Sequence, residues 1–301
     1  MRIRHPGKIR KGLWFLGREE SGVYLLEGDH GSMIISGGMS YIVPDVLRQF
    51  EEFGIDPGRI KKILILHSHF DHVGIVPFLK RRYPMIEVYG SQRGWEILQM
   101  EKAIATINEF SRAASKRMGM EKVFSTYDLE WRKEITGKKI KEGDKIDLGG
   151  LEVSIFEIPG HSSCCIAAYV ADWKALFPSD GGGIPFKEII LPSGNSNYTN
   201  FQQSLEKLNG LEVEYFCADH YGYIVGEEAK YFICQTIEIA RQQRLLMEEA
   251  YRRHRDIEAT AKELISSFYE EHPDYLLPPE ILFGVYCQMI RHIASASEGN
   301  V

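Results

Sequence analysis

Three histidines and an aspartate fall within six residues at His67-Ser68-His69-Phe70-Asp71-His72, directly after the apolar run Ile63-Leu64-Ile65-Leu66. Packing does not account for a strand that ends this way. Imidazoles at alternate positions of a strand end, followed by a carboxylate and another imidazole in the next turn, can converge on one or two metal ions. Neutral imidazole and carboxylate suit zinc, iron and manganese alike. Three later apolar runs also finish on a His or Asp: Phe156-Glu157-Ile158-Pro159-Gly160 on His161, Leu176-Phe177-Pro178-Ser179 on Asp180, and Phe216-Cys217-Ala218-Asp219 on His220. Each of these taken singly is an ordinary turn residue. If the four strand ends share one rim, five of the ten histidines meet two aspartates there, and turns have no general need for imidazole.

The elements that position these residues read outward from them. Leu13–Leu16, Val23–Leu26 and Ser32–Ile35 are expected as antiparallel strands, with Gly28-Asp29-His30-Gly31 as the tight turn between the last two. Gly37-Gly38 marks a sharp bend. Val43 to Phe53 has helical periodicity, with Val46, Leu47 and Phe50 on one face. After the strand Ile63–Leu66 and its histidines, Gly74 to Arg82 reads as a short helix and Ile86–Tyr89 as the next strand. This β-α-β order predicts a mixed sheet covered by helices. Ser91 to about Arg117 reads as largely helical, and the chain is polar and charged from there to Ile140. The insertion 91–140 is either a lid over the site or an ordinary surface hairpin. A second group of strands follows at Lys145–Leu148, Leu151–Phe156, Ile166–Val170, Ala175–Phe177 and Glu214–Cys217, with a helix at Phe201–Leu208. From Glu227 the character turns helical: one helix to about Arg253, a second that Asp256 can cap, and a third opened by Pro278-Pro279-Glu280. The expected division is 1–225 for the domain that carries the ligands and 226–301 for a helical region.

Composition narrows the classes. A net charge of −6 and a pI near 6.0 argue against nucleic acid as the main partner, because binding phosphates needs a basic surface. The five cysteines are odd in number and form no Cys-x-x-Cys, which speaks against a disulfide framework or zinc ribbon and for reduced thiols in the cytoplasm. No signal peptide and no run long enough to span a membrane is apparent. The expected partner is a small molecule, with neither membrane nor nucleic acid; a homodimer is compatible with this.

With the four strand ends in hand, the chain resembles a metallo-β-lactamase-fold hydrolase. His67-Ser68-His69-Phe70-Asp71-His72 matches that family's first motif, Gly160-His161-Ser162 its Gly-His-Ser/Thr motif, Asp180 the bridging aspartate and His220 the last histidine. The ordered match covers roughly residues 10 to 225. The resemblance implies an α/β (α+β) chain folded as a four-layer αββα sandwich, with the C-terminal helices as an extension. It implies two divalent metal ions, zinc, iron or manganese: His67, His69 and His161 on one, Asp71, His72 and His220 on the other, Asp180 between them. A hydroxide shared by two such ions attacks a carbonyl or phosphoryl centre, with Asp71 orienting it and later passing a proton to the leaving group.

Three departures from the family pattern bear on substrate. Ser179 precedes the bridging Asp180 where Gly is common. Asp219 precedes His220 where Gly is common, and is read either as a carboxylate orienting an imidazole or as a solvated turn residue. Cys164-Cys165 follow Gly-His-Ser and are read as buried structural thiols, with a soft-ligand or redox role as the alternative. About forty residues separate Asp180 from His220, too few for the domain that RNA-processing members carry there. Flavodiiron proteins have Glu where this chain has His69. The layout is most similar to the thioesterase of quinolone-signal biosynthesis, which implies a thioester of acyl-CoA type, a roof of tail helices and a pocket lined by Phe70, Tyr221 and Tyr223. A glyoxalase II-like glutathione thioesterase and a lactonase are the enzyme alternatives. Gly181-Gly182-Gly183 stands where lactonases of this fold carry a Tyr. A metal-containing regulatory protein with incidental hydrolysis is the alternative from a different class.

Overall fold

A computed structural model describes residues 1–298. Among these, fourteen strands form two seven-stranded sheets. The first sheet runs β2 (Gly7–Arg10), β3 (Leu13–Arg18), β4 (Ser21–Gly28), β5 (Gly31–Ile35), β6 (Ile60–Leu64), β7 (Glu87–Ser91), β8 (Lys138–Ile140). The second places β1 (Arg2–Ile3) at one edge, then β14 (Tyr223–Val225), β13 (Tyr215–Cys217), β12 (Ala175–Phe177), β11 (Ile166–Val170), β10 (Glu152–Glu157) and β9 (Lys145–Asp147). β5, β6, β7 and β8 pair in parallel, and the rest of the first sheet is antiparallel.

The period-2 geometry of strands produces the layers. On β4, Tyr24 and Leu26 face the core between the two sheets, while Val23 and Leu25 face the outer helices. On β11, Ile166, Ala168 and Val170 face the shared core, and Ala167 and Tyr169 face the other helical layer. Both faces of both sheets are therefore covered, which is why these strands are apolar runs rather than alternating ones. The outer layer on the first sheet holds α1 (Val43–Glu52), α2 (Val76–Arg82), α3 (Gln92–Leu98), α4 (Glu101–Arg117) and the single turn α5 (Val123–Thr126). The layer on the second sheet holds α6 (Tyr198–Leu208), α7 (Glu227–His254), α8 (Ile257–Glu271) and α9 (Pro279–Glu298). This is the four-layer αββα sandwich with a C-terminal helical part. Asp256 caps α8 as expected, its side chain accepting from the Ala259 amide. No helix among the described residues is long and apolar enough to cross a membrane.

Local differences from the sequence reading have simple causes. The helix expected over Ser91–Arg117 is two helices, because Met100 is extended at φ −76°, ψ 129°. The ladder of β6 stops at Leu64, two residues before the apolar run ends. Leu66 turns to the other sheet instead, its carbonyl accepting from the Ile166 amide at 2.9 Å. β1, β2, β8 and β14 have two to four residues each, too short to show a period.

Candidate metal centre

The Leu66 crossing delivers the first cluster to the seam between the sheets. His67 and His69 lie in the loop after β6, and Phe70–His72 form one 3-10 turn. Glycines clamp this segment from behind. The Gly74 amide donates to the Gly38 carbonyl at 2.7 Å and the Ile75 amide to the Gly37 carbonyl at 2.9 Å. A Cβ on Gly74 would lie 2.2 Å from the Ser40 nitrogen, so only glycine allows the approach. His161 follows β10, Asp180 follows β12, and His220 sits in the turn between β13 and β14. The four strand ends share one rim.

There the seven residues converge in three overlapping groups: His67, His69 and His161; His67, His72 and Asp180; Asp71, His72 and His220. Within each, the donor atoms lie no more than 4.8 Å apart. His161 Nε2 is 3.0 Å from His69 Nδ1, and His72 Nε2 is 3.2 Å from His220 Nε2. Carboxylate oxygens of Asp71 and Asp180 lie 3.4–3.6 Å from the nitrogens of His72, His161 and His220. Ligand bonds of about 2.0–2.1 Å in a tetrahedron give donor separations of about 3.3–3.4 Å. The observed spacings bracket that value.

The outward-facing nitrogens are already engaged. His161 Nδ1 meets the Ser193 carbonyl at 2.9 Å, His220 Nδ1 the Glu20 carbonyl at 2.7 Å, and His72 Nδ1 the Asp219 carboxylate at 2.8 Å. Each such bond fixes the tautomer of the neutral ring and turns the other nitrogen inward, where a cation can take it. His67 Nε2 is buried with no partner, and a buried orphan of this kind costs about 1–3 kcal/mol unless something binds it. The donor set therefore fits divalent cations.

The electrostatics agree. Burial opposes charge on His72, but the Asp180 and Asp71 carboxylates outweigh it and hold its pKa well above the usual value. His220 is pushed up to about 9 in the same way, against burial, by Asp180 and Asp71. Burial and the neighbouring His161 push His69 down to about 4, and burial holds His67 well below the ordinary imidazole range. Asp71 and Asp180 stay ionised despite burial because His72 and His220 face them. The protein alone thus draws positive charge to the Asp71–Asp180 side.

Asp219, ambiguous in sequence, is 2% exposed. Its Oδ2 accepts from His72 Nδ1, from Ser36 Oγ at 2.9 Å and from Ser179 Oγ. Ser179 Oγ also lies 3.2 Å from His67 Nδ1. Two departures from the family pattern, Ser179 and Asp219, are thus one network that orients His67 and His72. Cys164 is buried, its Sγ 2.9 Å from Ser162 Oγ and 3.3 Å from Ser68 Oγ. Cys165 packs in the outer core, and burial pushes its thiol pKa up, which makes it inert.

The centre forms the floor of a cavity of about 870 Å³. Phe70 and Tyr221 line it as expected. Tyr223 does not. It lies on β14 in the core between the sheets, its ring 5.9 Å from Phe15. Both tyrosines adjoin His220 in sequence, but Tyr221, at φ +62°, stands outside the strand, whereas Tyr223 lies in it. The roof of tail helices that the resemblance implies is built from residues the sequence alone does not single out: Phe268 on α8, Tyr275, Leu276 and Leu277 in the loop after it, and Ile281 and Val285 on α9. The i, i+4 spacing of Ile281 and Val285 was the available signal, but nothing in it says which way the face points.

Comparison with known proteins agrees with this geometry. Residues 16–220 match the Metallo-beta-lactamase superfamily. The metallo-beta-lactamase fold-containing protein ST1585 of Sulfurisphaera tokodaii is 26% identical over 189 residues, covering 62% of this chain and 66% of that protein. A hydroxyacylglutathione hydrolase of Buchnera aphidicola is 27% identical over 190 residues, covering 62% and 58%. The chain thus spans less than two thirds of the length of these curated relatives. The metallo-beta-lactamase family protein TTHA1429 of Thermus thermophilus superposes with a TM-score of 0.69 at 17% identity, covering 97% of this chain and 95% of that one, and so shares the fold. Ordered candidate ligands, sandwich and matched span together place the chain in the metallo-beta-lactamase superfamily.

Proposed function

We propose that the protein hydrolyses thioesters of apolar acyl groups with two divalent cations, zinc, iron or manganese. His67, His69 and His161 would hold one, Asp71, His72 and His220 the other, with Asp180 between them. Such cations supply an activated water and polarise the carbonyl that it attacks. The observation that carries the substrate class is the cavity. Apart from the candidate ligands, its charged side chains are Lys102 and Glu280, both exposed, and its body is apolar. An acyl chain fits such walls, and an apolar site with few polar groups is the usual form of a small-molecule pocket.

The chain's own residues have definite tasks. The Asp71 carboxylate faces the cavity and stays ionised, so it orients the attacking water by accepting its proton and carries that proton to the leaving group. A thiolate leaving group needs little of this help. Residues 1–225 act as the catalytic domain, and 226–301 with the insertion 91–140 as its cover. Similarity to hydroxyacylglutathione hydrolases favours a second reading, a glutathione thioester. The test is metal analysis followed by a free-thiol release screen across acyl-CoA and glutathione thioesters. Release above the metal-stripped control for the acyl-CoA set supports the reading, and none for any thioester refutes it.

A further inference from the structure

Two helices, α4 and α9, contribute to the walls of the cavity. α4 contributes Ala103, Thr106, Ile107 and Phe110, spaced so that they share one face, and Met100 adjoins them just before the helix. α9 contributes Glu280, Ile281, Gly284, Val285 and Gln288, flanked by Leu282, Tyr286 and Met289. The position without a side chain is Gly284, one turn after Glu280 and one turn before Gln288.

Nothing in the backbone requires glycine there. Gly284 lies in the interior of the twenty-residue helix α9 and is not among the residues with positive φ. Nothing in the packing requires it either. A Cβ built on Gly284 would meet no heavy atom within 4 Å. This is the opposite of Gly74, Gly160 or Gly222, where a Cβ would collide at 2.0–2.3 Å. Glycine inside a helix is about 1 kcal/mol less favourable than alanine. Among the described residues, the helices α4, α7, α8 and α9 contain no other glycine. The helix thus carries a glycine in its interior at an exposed position that lines the cavity, where the space beside it is open.

We propose that Gly284 is a specificity-determining position, and that the missing side chain keeps a slot open between α9 and α4 for the far end of a long apolar acyl tail. The inference rests on the acyl-hydrolase reading above. The tail runs from the carbonyl at the metal floor past Phe70 and Phe110 and along Gly284 towards the rim, where Lys102 and Glu280 remain in water. A side chain at 284 shortens the tail that fits. One methylene mismatched in an apolar pocket changes discrimination about 10- to 200-fold, so a single large residue here is decisive.

The experiment uses the full-length, metal-loaded protein with Gly284→Ala and Gly284→Leu. Two readouts are taken. The first is kcat/KM for butanoyl, octanoyl and dodecanoyl thioesters, expressed as the ratio of dodecanoyl to butanoyl. The second is binding of free dodecanoate by calorimetry, which needs no turnover. In Gly284→Leu the ratio falls at least about tenfold and dodecanoate binding weakens by a similar factor. Gly284→Ala gives a smaller drop in the same direction and a rise in melting temperature, because alanine favours the helix. The alanine variant keeps the test valid if the leucine variant folds poorly. An unchanged ratio and unchanged dodecanoate binding in folded variants overturn the inference. If no thioester is turned over, the hydrolase reading fails separately, and the dodecanoate titration still decides the role of Gly284.

Discussion

Replacing Asp219 by asparagine removes one charge from the back of the centre and leaves its outline intact. One oxygen of this carboxylate takes His72 Nδ1 at 2.8 Å, Ser36 Oγ at 2.9 Å and Ser179 Oγ. The other is buried without a partner. An amide can place its oxygen on the first position, but its NH2 group then occupies the second, where no acceptor waits. The bonds to His72 and the serines lose their charge assistance, roughly halving their strength, and the stranded NH2 costs about 1–3 kcal/mol. The His72 imidazole is left less basic and less firmly aimed. Losing an orienting partner of this kind weakens metal affinity about 10- to 100-fold. The variant should therefore hold one cation nearly as well as the parent and the other, on Asp71, His72 and His220, 10- to 100-fold more weakly by the same principle. Titration against a chromogenic chelator, with metal content measured at limiting free metal, resolves the two steps. Excess metal should restore most of the activity. Parental affinity at both steps in a folded Asp219→Asn protein would refute the role assigned to this network.

Other outcomes follow from the same geometry. Asp71→Asn should keep the fold and lower kcat at least about 100-fold, since a general base is worth about 10²–10⁴; a loss confined to KM would contradict its proton-carrying role. Gly74→Ala should destabilise by roughly 3 kcal/mol or more, at or beyond the upper end for overpacking because the colliding atoms are backbone, and a thermal melt within one degree of the parent would contradict the clamp. The chelated protein should be most stable close to the ordinary imidazole pKa, about 6.5. His220, raised to about 9, contributes fully below about 6.5 and loses its contribution as pH rises through about 9. His69, lowered to about 4, contributes fully above about 6.5 and loses its contribution as pH falls through about 4. Each limb is worth up to about 3 kcal/mol. Metal displaces the protons on His72 and His220, so the loaded protein should keep its melting temperature on the alkaline limb. A melting temperature that rises steadily with pH in the chelated protein would contradict this.

The seven residues that converge were legible because imidazole and carboxylate at strand ends are chemically out of place, and an ordered set of anomalies is hard to produce by packing. A mixed sheet covered by helices was legible in the β-α-β order around Ile63–Leu66, whereas the four layers followed from the family resemblance and not from any local pattern. What could not be read depends on three-dimensional direction. Asp219 has the same sequence neighbourhood whether it is solvated or buried against His72. Tyr223 stands as near His220 in sequence as a pocket residue would, yet its side chain packs in the core between the sheets. The roof includes Tyr275 and Ile281, 55 and 61 residues past the last candidate ligand, His220, and no local pattern says that α9 helps to line the cavity.

The position of the centre on the seam has a topological consequence. Its candidate ligands come from both sheets, and His72 and His220 are 148 positions apart. A cation held by both cross-links the chain across a loop of that length, which in the chain-entropy description of disulfides amounts to about 5 kcal/mol. The ion would thus act as a removable staple between two halves that meet late. During synthesis the first sheet and its four ligands emerge well before His161, Asp180 and His220. Until β13 and β14 are in place, the early half carries an acidic, histidine-rich edge with nothing opposite it. Metal supply at that moment would bear on folding yield as much as on activity, and chelation would weaken the joint between the sheets before it weakened either sheet.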